Sequence, residues 1–145
     1  MSEALRLKFE LVTPERVVMR EEVLQVSVPT ASGEITVLPN HIPLVSILRA
    51  GVVELKKTDG TLEVMSVSGG VLEVLAGKIV LLADTAERAH ELDESRIKEA
   101  RAKAEKLKIE DQMDFADVTA MVEKELAREK AIRRWKKIKN IETIN

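Results

Sequence analysis

Few side chains in this sequence could do chemistry, and their spacing points away from catalysis. The 145 residues hold two histidines and no cysteine. His41 falls in a loop and His90 at a composition boundary, and neither stands at metal-ligand spacing from another histidine or a carboxylate pair. Without cysteine there is no thiol nucleophile, disulfide staple or thiolate zinc site. No serine lies in a nucleophile-elbow pattern, and no P-loop run occurs. Gly69-Gly70 stands between apolar residues with no lysine after it, so it reads as a backbone solution for a tight sheet corner rather than a phosphate loop. Phe9, Phe115 and Trp135 are too few for base stacking on single-stranded nucleic acid.

The strongest electrostatic feature is the run from Arg128 to Lys139. It holds seven cations (Arg128, Lys130, Arg133, Arg134, Lys136, Lys137, Lys139) against one acid, Glu129. Three partners compete for it: the C-terminal end of a helix, an acidic protein surface, or phosphates. The helix dipole accounts for the last turn only.

The elements that carry these residues change period partway along the chain. Leu5, Leu7, Phe9 and Leu11 alternate with Arg6, Lys8 and Glu10, and Leu24, Val26 and Val28 alternate with Gln25 and Ser27, predicting strands with one wet face. Turn signals follow at Ala31-Ser32-Gly33, Arg49-Ala50-Gly51, Asp59-Gly60, Gly69-Gly70 and Ala76-Gly77, close to the spacing of a small sandwich. Asp59-Gly60 is the clearest hairpin, both positions tolerating positive φ. Beyond Ala83, Asp93 is placed to cap a helix with Ile97, Ala100, Ala104 and Leu107 on one face. After the polar break Glu110-Asp111-Gln112, Asp114 is placed to cap a second helix from about Phe115 to Ile138, about 36 Å long at 1.5 Å per residue. Its stripe of Ala120, Ala127, Ala131, Trp135 and Ile138, interrupted by Lys124, is mostly alanine and buries little area. That face suits either an ordinary antiparallel hairpin or one that detaches in function.

Net charge is -2, but residues 1–85 carry 8 Lys/Arg and 11 Asp/Glu while residues 86–145 carry 15 and 14. Such a step separates a packed core from solvated helices. The N-terminus lacks the basic start and apolar stretch of a secretory signal, its early glutamate argues against a transit peptide, and the longest apolar run, Ile79 to Ala83, is far short of a bilayer span.

Four stretches together resemble the ε subunit of F-type ATP synthases: Val12-Thr13-Pro14-Glu15-Arg16; Gly33-Glu34-Ile35-Thr36-Val37-Leu38-Pro39-Asn40-His41-Ile42-Pro43-Leu44-Val45; Ser68-Gly69-Gly70-Val71-Leu72-Glu73-Val74; and Leu82-Ala83-Asp84-Thr85-Ala86-Glu87-Arg88. Thr36 and Asn40 depart from it, standing where many members have glycine; Asn40 still tolerates a positive φ, whereas Thr36 implies extended backbone. The resemblance implies an α+β fold: an N-terminal antiparallel β-sandwich over residues 1–86, docking on the γ subunit and the c-ring, then a regulatory helical hairpin over residues 87–145. It implies a non-catalytic rotor subunit that couples proton- or sodium-driven ring rotation to ATP synthesis, with helices that inhibit ATP hydrolysis by rising into the head of α and β subunits.

By the same resemblance Glu34 faces the c-ring, His41 faces γ, and Arg128, Arg133, Arg134, Lys136 and Lys137 meet an acidic segment of a β subunit. Leu92-Asp93-Glu94-Ser95-Arg96-Ile97 resembles the ATP-binding motif of some members, with isoleucine in place of the final alanine. Glu87, Asp93, Arg96, Lys124 and Arg128 would form that site, so ATP enters as a regulatory ligand; no cofactor or metal is required. The implied location is peripheral, at the cytoplasmic face of a bacterial plasma membrane and held there by partners, with no nucleic acid bound. A free-standing nucleotide-sensing module and a nucleic-acid adaptor using the basic C-terminus are the competing readings.

Overall fold

The computed structural model describes residues 5–109 and 114–144. The predicted break at Glu110-Asp111-Gln112 lies outside the described residues. Seven strands come first: β1 (Leu7–Val12), β2 (Val17–Thr30), β3 (Gly33–Val37), β4 (Leu44–Lys57), β5 (Leu62–Leu75), β6 (Lys78–Ala83) and β7 (Ala86–Arg88). A 3-10 turn at Ala89–Glu91 leads to two helices, α1 (Glu94–Ile109) and α2 (Phe115–Ile144). β7 carries the sheet through Arg88, two residues past the boundary expected from sequence, by pairing Ala86, Glu87 and Arg88 with β5.

The strands run in the order β1-β6-β5-β4-β2-β3, and β1 also pairs with β2, so the sheet curls back on itself as a barrel-like sandwich. The pairings are antiparallel except β1 with β6, which is parallel (Lys8↔Lys78 to Val12↔Leu82). Alternation marks which face a residue takes but not the direction of its neighbour, so the sequence could not show this. Leu7, Phe9 and Leu11 are buried as their alternation predicts, while Leu5 precedes the strand and is exposed. In β2 the order is different from expectation. Val23 takes the core position and Leu24 is only half-buried, because a register shift between Val23 and Gln25 moves the inward face from odd to even residues.

The same switch explains two of the sequence signals. Arg49-Ala50-Gly51 and Gly69-Gly70 are not turns; they lie inside the 14-residue strands β4 and β5. There the inward residues change from Leu48 to Val53 and Leu55 on β4, and from Met65 and Val67 to Leu72 and Val74 on β5. Both strands bend at this corner and pass from one layer of the sandwich to the other. Gly70, at φ 141°, has no room for a side chain, since a Cβ there would stand 1.8 Å from the Leu82 carbonyl oxygen.

True turns close the hairpins. At Asp59-Gly60 only Gly60 is left-handed (φ 87°), and the Asp59 carboxylate accepts from the Thr61 N–H and hydroxyl at 2.9 and 2.7 Å. The two-residue turn with both positions at positive φ is Ala76-Gly77, at 45° and 78°. Thr36 is extended within β3 and Asn40 adopts φ 67°, as their residue types require.

Asp93 and Asp114 cap α1 and α2: Asp93 Oδ1 accepts from the Ser95 N–H at 3.0 Å, and Asp114 Oδ1 from the Ala116 N–H at 3.2 Å. α2 continues six residues beyond the expected Ile138. Its stripe is displaced as well: Ala120 is exposed, whereas Val118, Glu125 and Ile132 are buried with Ala127, Ala131 and Ile138. α2 lies on β4 and β5, where Ala131 and Ile138 meet Val64 and Ala89, with Val52, Leu62, Leu92 and Trp135 at the edge.

Candidate functional site

The outer face of the sandwich carries an apolar row that sequence reasoning did not single out. Ile47 on β4 pairs with Val71 on β5, and Val71 pairs with Leu82 on β6, so the three side chains stand side by side on one face. All three are exposed, Ile47 at 63%, and Val45 and Ile42 extend the exposed apolar set at 71% and 75%. Exposed apolar side chains grouped in this way make the face a candidate protein-docking surface. The signal was present in Leu44-Val45-Ser46-Ile47-Leu48, whose apolar residues occupy both faces of one strand.

The cationic run of α2 divides into paired and free groups. Arg134 forms a two-pronged bridge to Glu54 on β4, its Nε and Nη2 donating to the two carboxylate oxygens at 2.8 and 3.0 Å. Hydrogen bonding to Glu54, with the field of Glu34 added, holds the Arg134 guanidinium above its ordinary pKa. Arg128 donates to Glu87 on β7 and, at 2.7 Å, to Glu125 on its own helix. Its Nε and the second Glu125 oxygen are buried without a hydrogen-bond partner. Lys136 donates to Glu94 at the start of α1 at 2.6 Å, which lowers the pKa of that carboxyl. Arg133 and Lys137 are exposed and face solvent. The run is therefore no free cluster in this conformation: its paired members clamp α2 to the sheet and to α1.

The structure gathers most of the expected ATP residues. Glu87, Asp93, Arg96 and Arg128 line a cleft of about 330 Å³, along with Glu91, Leu92, Ile97 and Ala100. Lys124 is not among its lining residues. Asp93 is occupied as the α1 cap; its bonds from the Ser95 hydroxyl and the Ser95 and Arg96 N–H groups keep the carboxyl ionised below its usual range. Three carboxylates and two guanidinium groups border the cleft, and Glu87 already engages Arg128. A polyphosphate would have to take Arg128 from Glu87.

Glu34 is the second residue of β3 and His41 lies in the loop that follows it. Glu34 is exposed beside the Ala31-Ser32 turn, while His41 is half-buried in the following loop with Nδ1 2.6 Å from the Ile42 carbonyl oxygen. Among the described residues no group of three His, Cys, Asp or Glu could hold a metal ion, and no helix is long and apolar enough to cross a membrane.

A curled sandwich with an exposed apolar outer row, and a helical pair held to it by ion pairs, has the build of a docking subunit. Residues 6–89 match the ATP synthase delta/epsilon chain beta-sandwich domain. Over its length the chain is 40% identical to the ATP synthase epsilon chain of Moorella thermoacetica across 127 residues, 86% of this chain and 95% of that one. It is 43% identical to that of Bordetella petrii across 121 residues, 83% and 84% of the two chains. It is 50% identical to that of Dichelobacter nodosus across 97 residues, 67% of this chain and 68% of that one. The chain belongs to the ATP synthase epsilon-chain family, which supplies the complex with a stalk subunit and not a catalytic one. It also superposes on a chain of the Euglena gracilis mitochondrial ATP synthase assembly of OSCP, F1 and c-ring, with TM-score 0.76 and 21% identity over 91% of this chain and 84% of that chain, a likeness of fold.

Proposed function

We propose that the sandwich docks on the γ subunit and the c-ring of an F-type ATP synthase at the cytoplasmic face of a bacterial plasma membrane, and so transmits rotation driven by proton or sodium flow. In this reading the helical pair slows ATP hydrolysis by leaving the sandwich and extending toward the α and β subunits. The observation that carries the first part is the exposed Ile47–Val71–Leu82 row; partner contact would remove it from water. The observation that supports the second is the kind of contact made by α2. Alanine-rich packing and ion pairs cost little to exchange for similar contacts on an acidic partner, whereas a leucine-rich interface would not release.

The test is ATP hydrolysis by the reconstituted catalytic complex with the full chain and with a chain ending at Arg88. Assembly of both, with slower turnover only for the full chain, is the expected result. Equal turnover removes the inhibitory role, and failure of both forms to bind γ removes the docking role.

The cleft of Glu87, Asp93, Arg96 and Arg128 favours ATP as the regulatory ligand of the docked state. A ligand that binds only this conformation stabilises it by RT ln(1 + [L]/Kd). Isothermal calorimetry of the isolated chain with millimolar ATP should give a saturable heat that R128Q diminishes. A flat titration would eliminate ATP from the reading.

A further inference from the structure

A second cleft, away from that of Glu87 and Asp93, opens where α2 passes over the corner of β4 and β5. It is about 480 Å³. Gly51 and Gly69 on the sheet and the small Ala127 on α2 line it, so little side-chain bulk fills the gap between them. Arg49 reaches its border from β4, where it stands between the paired positions Leu48↔Gly70 and Ala50↔Ser68. Lys130 borders it from α2, one turn beyond Leu126 on the same helix face. Both cations are exposed, and neither makes an ion pair or hydrogen bond with a described residue. Arg128, Arg134 and Lys136 on the same helix are all bridged. Glu123 also lines the cleft, seven residues from Lys130 and so about 10 Å along the helix, too distant to neutralise it by direct contact.

We infer that this wedge binds a small phosphate-bearing anion between Arg49 on the sheet and Lys130 on α2. The inference rests on the docked hairpin of the proposed function, because one wall of the site is α2 itself. A ligand held across the two walls stabilises docking by mass action and opposes release of the helices. The site is thus a second place, besides the Arg128 cleft, where phosphate chemistry biases the hairpin.

The experiment is a titration of the full chain with inorganic phosphate at constant ionic strength, followed by backbone amide NMR, with sodium chloride as the matched control. Saturable shifts centred on Gly51, Gly69 and Ala127 are expected. R49Q and K130Q should each weaken binding about two- to five-fold, the scale of one exposed ion pair. R49E/K130E should abolish it. Shifts that never saturate, shifts centred on Arg96 and Arg128 instead, or unchanged affinity in R49E/K130E would overturn the inference. A parallel titration with adenosine diphosphate separates the two sources of phosphate: tighter binding with shifts reaching Glu123 identifies a nucleotide tail, and equal or weaker binding at the same amides identifies free phosphate. Contact between Ala131 and Val64, checked by NOE before any ligand is added, tests the docked hairpin separately; its absence would overturn both that reading and this site.

Discussion

Replacing Arg134 with glutamine should loosen the hairpin from the sandwich by an amount that can be worked from the geometry. The wild-type guanidinium donates two well-formed bonds to Glu54, at 2.8 and 3.0 Å. Arg134 is 41% exposed and Glu54 23%, so water screens the pair and its worth is that of a good surface bridge, about 1 kcal/mol, rather than that of a buried one. Losing about 1 kcal/mol shifts the docked-to-released ratio about five-fold. Trp135 reports the change directly, since it is the only tryptophan and packs at the edge of the helix–sheet cluster. Urea titration followed by its emission should show an earlier midpoint for R134Q, and E54Q should behave alike. The double variant E54R/R134E should recover most of the loss, because the bridge is rebuilt with its ends exchanged. Additive effects of R134Q and E54Q, with no coupling between them, would refute the idea that this bridge latches the hairpin.

Three further outcomes follow from named contacts. I47E and V71K, at exposed outer-face positions, should leave thermal stability within about 0.5 kcal/mol of the parent but weaken co-purification with γ at least ten-fold. G70A should cost more than about 3 kcal/mol and reduce soluble yield, because its Cβ would stand 1.8 Å from backbone oxygen at φ 141°, and denaturant unfolding measures this. Acid should release the hairpin. Asp93 and Glu94 titrate below their ordinary values, through the Ser95 and Lys136 hydrogen bonds respectively. Their stabilisation is therefore complete above the unfolded carboxyl range, about pH 4, and is lost as pH falls through the lower folded values. Trp135 emission followed from pH 7 to pH 2 should show that transition, and E94Q should reduce its amplitude.

Much of this was legible because it is local. Alternation placed Leu7, Phe9 and Leu11 in the core, and the capping aspartates announced both helix starts. The misses arise where a long strand changes layers. Sequence shows small residues at Ala50-Gly51 and Gly69-Gly70, but a strand that bends and a chain that turns need the same backbone freedom, so only the pairing of β4 with β5 tells them apart. The apolar row of Ile47, Val71 and Leu82 was hidden for the same reason, being assembled from three strands by register. The cleft of Glu87, Asp93, Arg96 and Arg128 came from family resemblance rather than spacing. Lys124, carried over with them, is separated by the interhelix loop from the motif that would have fixed its alignment.

The cationic run shows why counting charges is a poor guide to what they do. Seven cations in twelve residues suggest a surface waiting for an acidic partner. In the docked conformation Arg134 and Arg128 already meet Glu54 and Glu87 on the sheet, and Lys136 meets Glu94 on α1. Leaving these carboxylates for those of another subunit exchanges one set of part-exposed pairs for another, so the net electrostatic change is the small difference between two similar terms. The proposed release needs such a small difference: were the bridges buried and unmatched elsewhere, release would cost several kcal/mol per pair and the hairpin would stay down. With near-equal alternatives, the balance passes to whichever ligand, salt or subunit contact adds the last 1–2 kcal/mol or so. Raising ionic strength should then lower the docked population of the isolated chain, because the clamping pairs weaken with no competing partner present to offset the loss. If the proposed inhibition operates in the assembled complex, the same salt weakens both sets of pairs there, and the inhibited fraction should change less than either set alone would suggest. Parallel salt titrations of Trp135 emission and of ATP hydrolysis measure the two responses, and a steep loss of inhibition in salt that leaves Trp135 unmoved would sink the exchange argument.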